Sequence, residues 1–113
     1  KDNHIKAAGG IKNAVDMVRN KIPHTIKIEV ETETLEQVQE ALDAKADIIM
    51  LDNMDNDKMK EAVKLINKRA LVEASGNVSI NNVREIALTG VDIISVGKLT
   101  HSVNALDISM KIR

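Results

Sequence analysis

Residues 25–52, TIKIEVETETLEQVQEALDAKADIIMLD, decide the fold. The segment 25–31 alternates with a period of two. Ile26, Ile28 and Val30 fall on one side, and Lys27, Glu29 and Glu31 on the other, which predicts a strand. Thr34 stands three positions before Gln37 in a capping-box arrangement. Leu35, Val38 and Leu42 then recur at helical spacing. The apolar run at 48–51 predicts a second strand. A strand, a helix and another strand make a crossover, and crossovers join parallel strands.

The same unit recurs outward from this segment. Upstream, Gly10 leads into Ile11, Ala14, Val15 and Val18, a helical stripe stopped near Asn20 and Pro23. Downstream, Asp55 or Asn56 caps a helix with Met59, Val63 and Ile66 on its apolar face. A strand near 70–74 follows. Ser79 is then expected to cap a helix carrying Val83, Ile86 and Ala87, which ends at Gly90. Another strand is expected near 92–96, and Val103, Leu106 and Met110 suggest a last helix. The expected class is α/β, built of parallel βα units with strands near 25–31, 47–51, 70–74 and 92–96. The first helix has no strand ahead of it, so the chain reads as about half of a TIM-like (β/α) barrel. No linker divides residues 1–113, which read as one unit.

Composition narrows the function. Apolar residues make up 43% of the 113, enough for a core, but none is aromatic. Sixteen basic residues nearly balance seventeen acidic ones, so there is no electrostatic footprint for nucleic acid and no base-stacking platform. Without cysteine there are neither disulfides nor thiolate metal sites. No apolar run reaches the ~20 residues of a membrane span. A cytoplasmic protein is expected.

The strand faces point to a site. Ile28, Val30, Ile49, Leu51, Val72, Ala74, Ile94 and Val96 form a uniformly apolar face. The opposite face collects Glu29, Glu31, Asp52, Glu73, Ser75, Ser95 and Gly97, mostly towards the strand carboxyl ends. Such a face is either the solvated side of a single-layer sheet or the polar lumen of a barrel, and the parallel crossovers favour the lumen. Carboxylates in a lumen need lysines, a metal, water or a cationic ligand. Two glycine turns, in EASGN (73–77) and SVGKLT (95–100), follow consecutive strands. Each would let backbone N–H groups approach an anion beside Ser75, Ser95 or Lys98.

The ordered set KDNHI, IEVETETLEQ, IIMLDNM, EASGNVS and TGVDIISVGKLTHSVNALDIS closely resembles the quinolinate phosphoribosyltransferase family, over essentially the whole chain. The resemblance reaches only the carboxyl-terminal part of that enzyme, whose fold is an amino-terminal α/β sandwich followed by an incomplete barrel. It implies a type II phosphoribosyltransferase of NAD biosynthesis. That enzyme makes nicotinate mononucleotide, pyrophosphate and CO2 from quinolinate and phosphoribosyl pyrophosphate, with Mg2+, as a homo-oligomer. It implies that Glu31 and Asp52 face the ribose and, through water or pyrophosphate, the metal. Lys1 would hold a quinolinate carboxylate. Ser75, Gly76 and Asn77 would form one phosphate loop, Gly97 and Lys98 the other, with His101 close by.

The sandwich domain and the arginine-rich segments ahead of KDNHI are not in this chain, so the chain alone is expected to be inactive. The competing expectations are a phosphate-binding module without turnover, and a structural half-barrel that self-associates through open sheet edges. Other residues read more plainly. His4 is expected to hydrogen-bond near the first helix, His24 to be solvated, and Asn53 to cap a turn or orient Asp52. The methionines fill the core.

Overall fold

The computed structural model describes residues 9–96. Eight elements alternate: α1 (Ile11–Arg19), β1 (Glu29–Thr32), α2 (Leu35–Asp43), β2 (Ile48–Asp52), α3 (Asn56–Ile66), β3 (Leu71–Ser75), α4 (Val83–Ala87) and β4 (Ile93–Ile94). The strands form one parallel sheet in the order β1-β2-β3-β4. Because strand order follows chain order, the sheet winds in one direction. A doubly wound sheet would reverse at a switch point.

One face of the sheet carries all the helices. Ile28, Val30, Ile49, Leu51, Val72 and Ala74 join Ile11 and Val15 of α1, Val38 and Ala41 of α2, Met59, Ala62 and Ile66 of α3, and Ile86 of α4 in a single cluster. Most of the stripe positions expected from spacing do turn inward, but Val18 (44% exposed) and Ala87 face outward. Val38, Ala41, Ala62 and Ile66 are completely enclosed. Small alanines at two of these positions let α2 and α3 lie close to the strands. Register partners share a face, so Glu31, Met50 and Glu73 stand in one row on the other side, and Asp52 and Ser75 in the next. One helix-covered face and one acid-lined face are the arrangement of a barrel wall.

The helix starts follow their caps. Thr34 Oγ1 accepts the Gln37 N–H at 3.2 Å, and Gln37 Oε1 reaches back to the Glu33 N–H at 2.7 Å. Asp55, not Asn56, caps α3, its Oδ1 accepting from the Lys58 N–H at 2.8 Å. Asn67 ends α3 in the left-handed region at φ 47°, which asparagine tolerates.

Three expectations are corrected. β1 begins at Glu29 rather than Thr25. The Ile26 N–H turns back to the Pro23 carbonyl at 3.1 Å, and the first residue of β2, Ile48, lies opposite Glu29. Ile28 still meets the start of β2, its carbonyl accepting the Asp47 and Ile48 N–H groups, whereas residues 25–27 lie ahead of the paired register. β4 is assigned only at Ile93–Ile94, although the Asp92 and Ser95 N–H groups still bond across to Val72 and Ala74. Ser79 does not cap α4, which starts after Asn82. The Ser79 N–H is itself taken by Asn82 Oδ1 at 2.8 Å, and its carbonyl receives the Asn82 and Val83 N–H groups, so Ser79 opens a turn instead. The suggested helix around Val103, Leu106 and Met110 lies outside the described residues.

Candidate active site

The strand carboxyl ends gather the acids and the turn residues. Glu31 is level with Met50, and Asp52 is one strand over and two residues further on. Standard strand spacing and rise put their Cα atoms roughly 8 Å apart. Both side chains are half-buried on the face away from the helices. In the row below, Glu73 is buried (4% exposed) and its carboxylate accepts a hydrogen bond from Ser95 Oγ. A hydroxyl rather than a lysine satisfies that acid.

Beyond β2 and β3 the chain leaves on two loops that touch. Each drops one apolar residue, Met54 or Val78, into the core cluster, which fixes the loop to the barrel wall. Asp52 pairs with Ser75, and the Asn53 N–H continues the ladder to the Ser75 carbonyl at 3.0 Å. Asn53 has φ 55°, Gly76 φ 85° and Asn77 φ 52°. Successive left-handed residues turn both strand exits sharply. They also bring the backbone of Gly76 against the side chains of its neighbours. A Cβ at Gly76 would stand 2.4 Å from Asn53 Oδ1 and 3.0 Å from Asp52 Oδ1. Only glycine fits there, for want of space as well as for its φ. Asn77 Nδ2 donates to Asn53 Oδ1 at 3.0 Å, and Asn82 Nδ2 holds the Asn77 carbonyl at 2.7 Å. Between the loops and the starts of α3 and α4 lies a cleft of about 360 Å³, walled by Asn53, Asp55, Asn56, Ser75, Asn77 and Asn82 over a floor of Met59 and Ile86.

Residues 1–111 match the family described as "Quinolinate phosphoribosyl transferase, C-terminal domain". This chain belongs to that family. It is 51% identical over 99% of its length to a probable nicotinate-nucleotide pyrophosphorylase (carboxylating) of Synechocystis sp., of which it spans 39%. It is 49% identical over the same share to a mitochondrial quinolinate phosphoribosyltransferase (decarboxylating) of Nicotiana tabacum, of which it spans 37%. Among solved structures, the nicotinate-nucleotide pyrophosphorylase of Ehrlichia chaffeensis superposes with a TM-score of 0.83 at 44% identity. That match covers 89% of this chain and 36% of that one. The chain thus spans under two-fifths of the length of these relatives, and the superposition identifies the four-stranded sheet as part of a barrel.

Of the residues the sequence nominated, the fold brings together Glu31, Asp52, Ser75, Gly76 and Asn77. Lys1, Gly97, Lys98 and His101 lie outside the described residues, as does His4. Asn53 makes the turn that one reading of it anticipated, with its side chain bonded to Asn77. Asn82 was not anticipated, nor was the use of Ser95 by Glu73. Sequence did carry a signal for two of the asparagines, since LDN and SGN place Asn53 one residue and Asn77 two residues after a strand.

A second set of acids sits at the opposite, amino-terminal ends of the strands. Asp47 Oδ2 accepts the Ile28 N–H at 2.8 Å and Arg19 Nη1 at 3.0 Å, while Arg19 Nη2 donates to the Lys45 carbonyl at 2.9 Å. Asp92 Oδ2 accepts the Val72 N–H at 2.9 Å. Partial burial pushes the Asp47 carboxyl up. The Ile28 hydrogen bond, Arg19 and the charge of Lys27 outweigh that and hold it below its ordinary 3.8. Among the described residues, no group of three or more histidines, cysteines or acids gathers in a way that could hold a metal. No described helix is long and apolar enough to cross a membrane.

Proposed function

We propose that this chain supplies the ribose- and phosphate-facing wall of a carboxylating nicotinate-nucleotide pyrophosphorylase. The reaction joins quinolinate to the ribose of phosphoribosyl pyrophosphate, releasing pyrophosphate and CO2 and leaving nicotinate mononucleotide for NAD biosynthesis. The observation that carries the reading is the contact between the two strand exits. The Asp52 carboxylate lies directly against the backbone of Gly76, in a turn whose N–H groups suit a phosphate.

As pyrophosphate leaves, the ribose becomes oxocarbenium-like. Glu31 and Asp52, fixed on adjacent strands, stabilise that positive charge without having to reorganise. Ser75, Gly76 and Asn77 bind the 5′-phosphate one strand away. Gly97 and Lys98 with His101 form the second phosphate loop, and Lys1 pairs with a quinolinate carboxylate as a point charge. Two half-buried carboxylates are a hard-oxygen donor set that fits Mg2+, an ion that keeps several waters and is shared with substrate phosphates. When bound, it would neutralise charge on the departing pyrophosphate. By family resemblance the enzyme is a cytoplasmic homo-oligomer.

The test is an assay of the complete protein with quinolinate and phosphoribosyl pyrophosphate. Nicotinate mononucleotide, pyrophosphate and CO2 are expected in equal amounts, and residues 1–113 alone are expected to give no turnover. Absence of the mononucleotide from the complete, folded protein would overturn the reading.

A further inference from the structure

Three observations meet at Asn53. Its N–H extends the β2–β3 ladder past Asp52 to the Ser75 carbonyl. Its Oδ1 accepts from Asn77 Nδ2, the side chain at the far end of the Ser75–Asn77 turn. Its amide fills the space where a side chain on Gly76 would go, next to the Asp52 carboxylate. Asn53 is therefore hydrogen-bonded to the start and end of the neighbouring turn and packed close to its middle, while being covalently attached to Asp52. The far end is fixed in turn by Asn82 Nδ2 on the Asn77 carbonyl. A left-handed φ of 55° is what lets one residue face both ways, and asparagine is among the few residues that adopt it readily.

We infer that Asn53 is a positioning residue that locks the loop bearing Asp52 to the turn around Gly76, so that the carboxylate and the phosphate cradle keep one spacing. The inference rests on the functional reading above. It goes further by assigning the spacing to a single side-chain hydrogen bond rather than to the strands. Strand pairing alone ends at Asp52 and Ser75. Past that point the turn is tethered by the Asn53 N–H, by Val78 in the core and by Asn82, and the Asn53–Asn77 bond is the link that ties it directly to the loop bearing Asp52. Phosphoribosyl pyrophosphate, which reaches from Asp52 to the cradle, needs the spacing. Quinolinate does not.

The test measures binding of phosphoribosyl pyrophosphate and of quinolinate to the complete protein, unaltered and as Asn53→Gly, Asn77→Gly and the double variant. Glycine keeps the left-handed backbone and removes only the amides. Each single variant is expected to weaken phosphoribosyl pyrophosphate binding by up to about tenfold, the scale of one intramolecular hydrogen bond. Quinolinate binding should stay unchanged. The double variant should lose clearly less than the product of the two single losses, because both changes delete the bond they share. Losses that multiply in full would mean that the two side chains act separately and would overturn the inference. So would equal weakening of both ligands, or unaltered binding in Asn53→Gly. Failure of the unaltered protein to bind phosphoribosyl pyrophosphate would overturn the functional reading as well.

Discussion

Strand β2 is preceded by one aspartate, Asp47, and closed by another, Asp52, and the two are used in opposite ways. Asp47 exchanges hydrogen bonds with a single residue of the strand before it. Its N–H goes to the Ile28 carbonyl at 3.0 Å and its Oδ2 receives the Ile28 N–H, with Arg19 of α1 on the same oxygen. That carboxylate is committed to backbone and guanidinium. Asp92 makes the same exchange with Val72 two strands along, which makes the arrangement a repeated device. Asp52 instead stands half-buried at a strand exit, where Asn53, Gly76 and Asn77 all adopt left-handed backbone. The amino ends of the strands are sealed for stability, whereas the carboxyl ends hold strained turns around an acid. Such a division is expected of a barrel, in which chemistry belongs to the carboxyl-terminal rim.

Asp52→Asn breaks the comparison hardest. The change is isosteric and leaves the fold, but it removes the charge that the proposed function sets against the ribose. A fall in kcat/KM of about 10²- to 10³-fold is expected, the scale seen when one electrostatic transition-state contact is lost. Chemical denaturation should shift by no more than about 0.5 kcal/mol. A large loss of stability with little loss of turnover would put Asp52 in the same class as Asp47.

Asp47→Ala should show the reverse. It strands the half-buried Ile28 N–H and frees Arg19, so a cost of about 1–3 kcal/mol in denaturation is expected, with turnover of the folded protein unchanged. The effect has a pH signature. The native carboxyl sits below 3.8, so the stability it adds is present above the unfolded value and is lost as pH falls through the folded one. The gap between the unaltered protein and Asp47→Ala should therefore be constant from about pH 7 to 5 and close below about pH 4. A gap that persists into acid would show that the carboxylate's charge is not what stabilises.

The two ends of the sheet also differ in how far sequence reveals them. Alternation in 28–31 and the helical stripes through Val38, Met59 and Ile86 gave the faces, because burial acts on every residue of an element. Thr34 and Asp55 were readable as caps, since a cap and its partner lie within one turn. Residues 25–27 misled because a period of two predicts a strand only where a neighbour exists, and the register with β2 begins at Glu29. Ser79 misled because the chain makes a turn over 79–82 before the helix begins after Asn82. The seals were hidden for a different reason. Asp47 and Ile28 are 19 residues apart and Asp92 and Val72 are 20, distances at which no local pattern operates. The trace they left is the repetition of Ala-Asp-Ile-Ile at 46–49 as Val-Asp-Ile-Ile at 91–94. Within the site, the acids, the glycine turn and Asn53 as a turn residue were legible as residue types, and the bond from Asn53 to Asn77 was not, because its partner belongs to another loop.

Asp92→Ala gives the smallest effect and the finest test of the repeat. Asp92 makes the same two-way exchange, its N–H reaching the Val72 carbonyl at 2.8 Å, but it is exposed and has no counterpart to Arg19 among the described residues. If the backbone exchange is the stabilising part, removing the side chain should cost about 0.5–1 kcal/mol, the worth of one solvent-accessible hydrogen bond. Hydrogen exchange should localise the loss, with the Val72 amide exchanging faster in Asp92→Ala and the Ile28 amide unaffected, and the converse in Asp47→Ala. The difference in cost between the two variants then measures what Arg19 adds. Equal costs would mean that the guanidinium contributes nothing beyond orienting a carboxylate the backbone already holds, as is common for ion pairs that water still reaches.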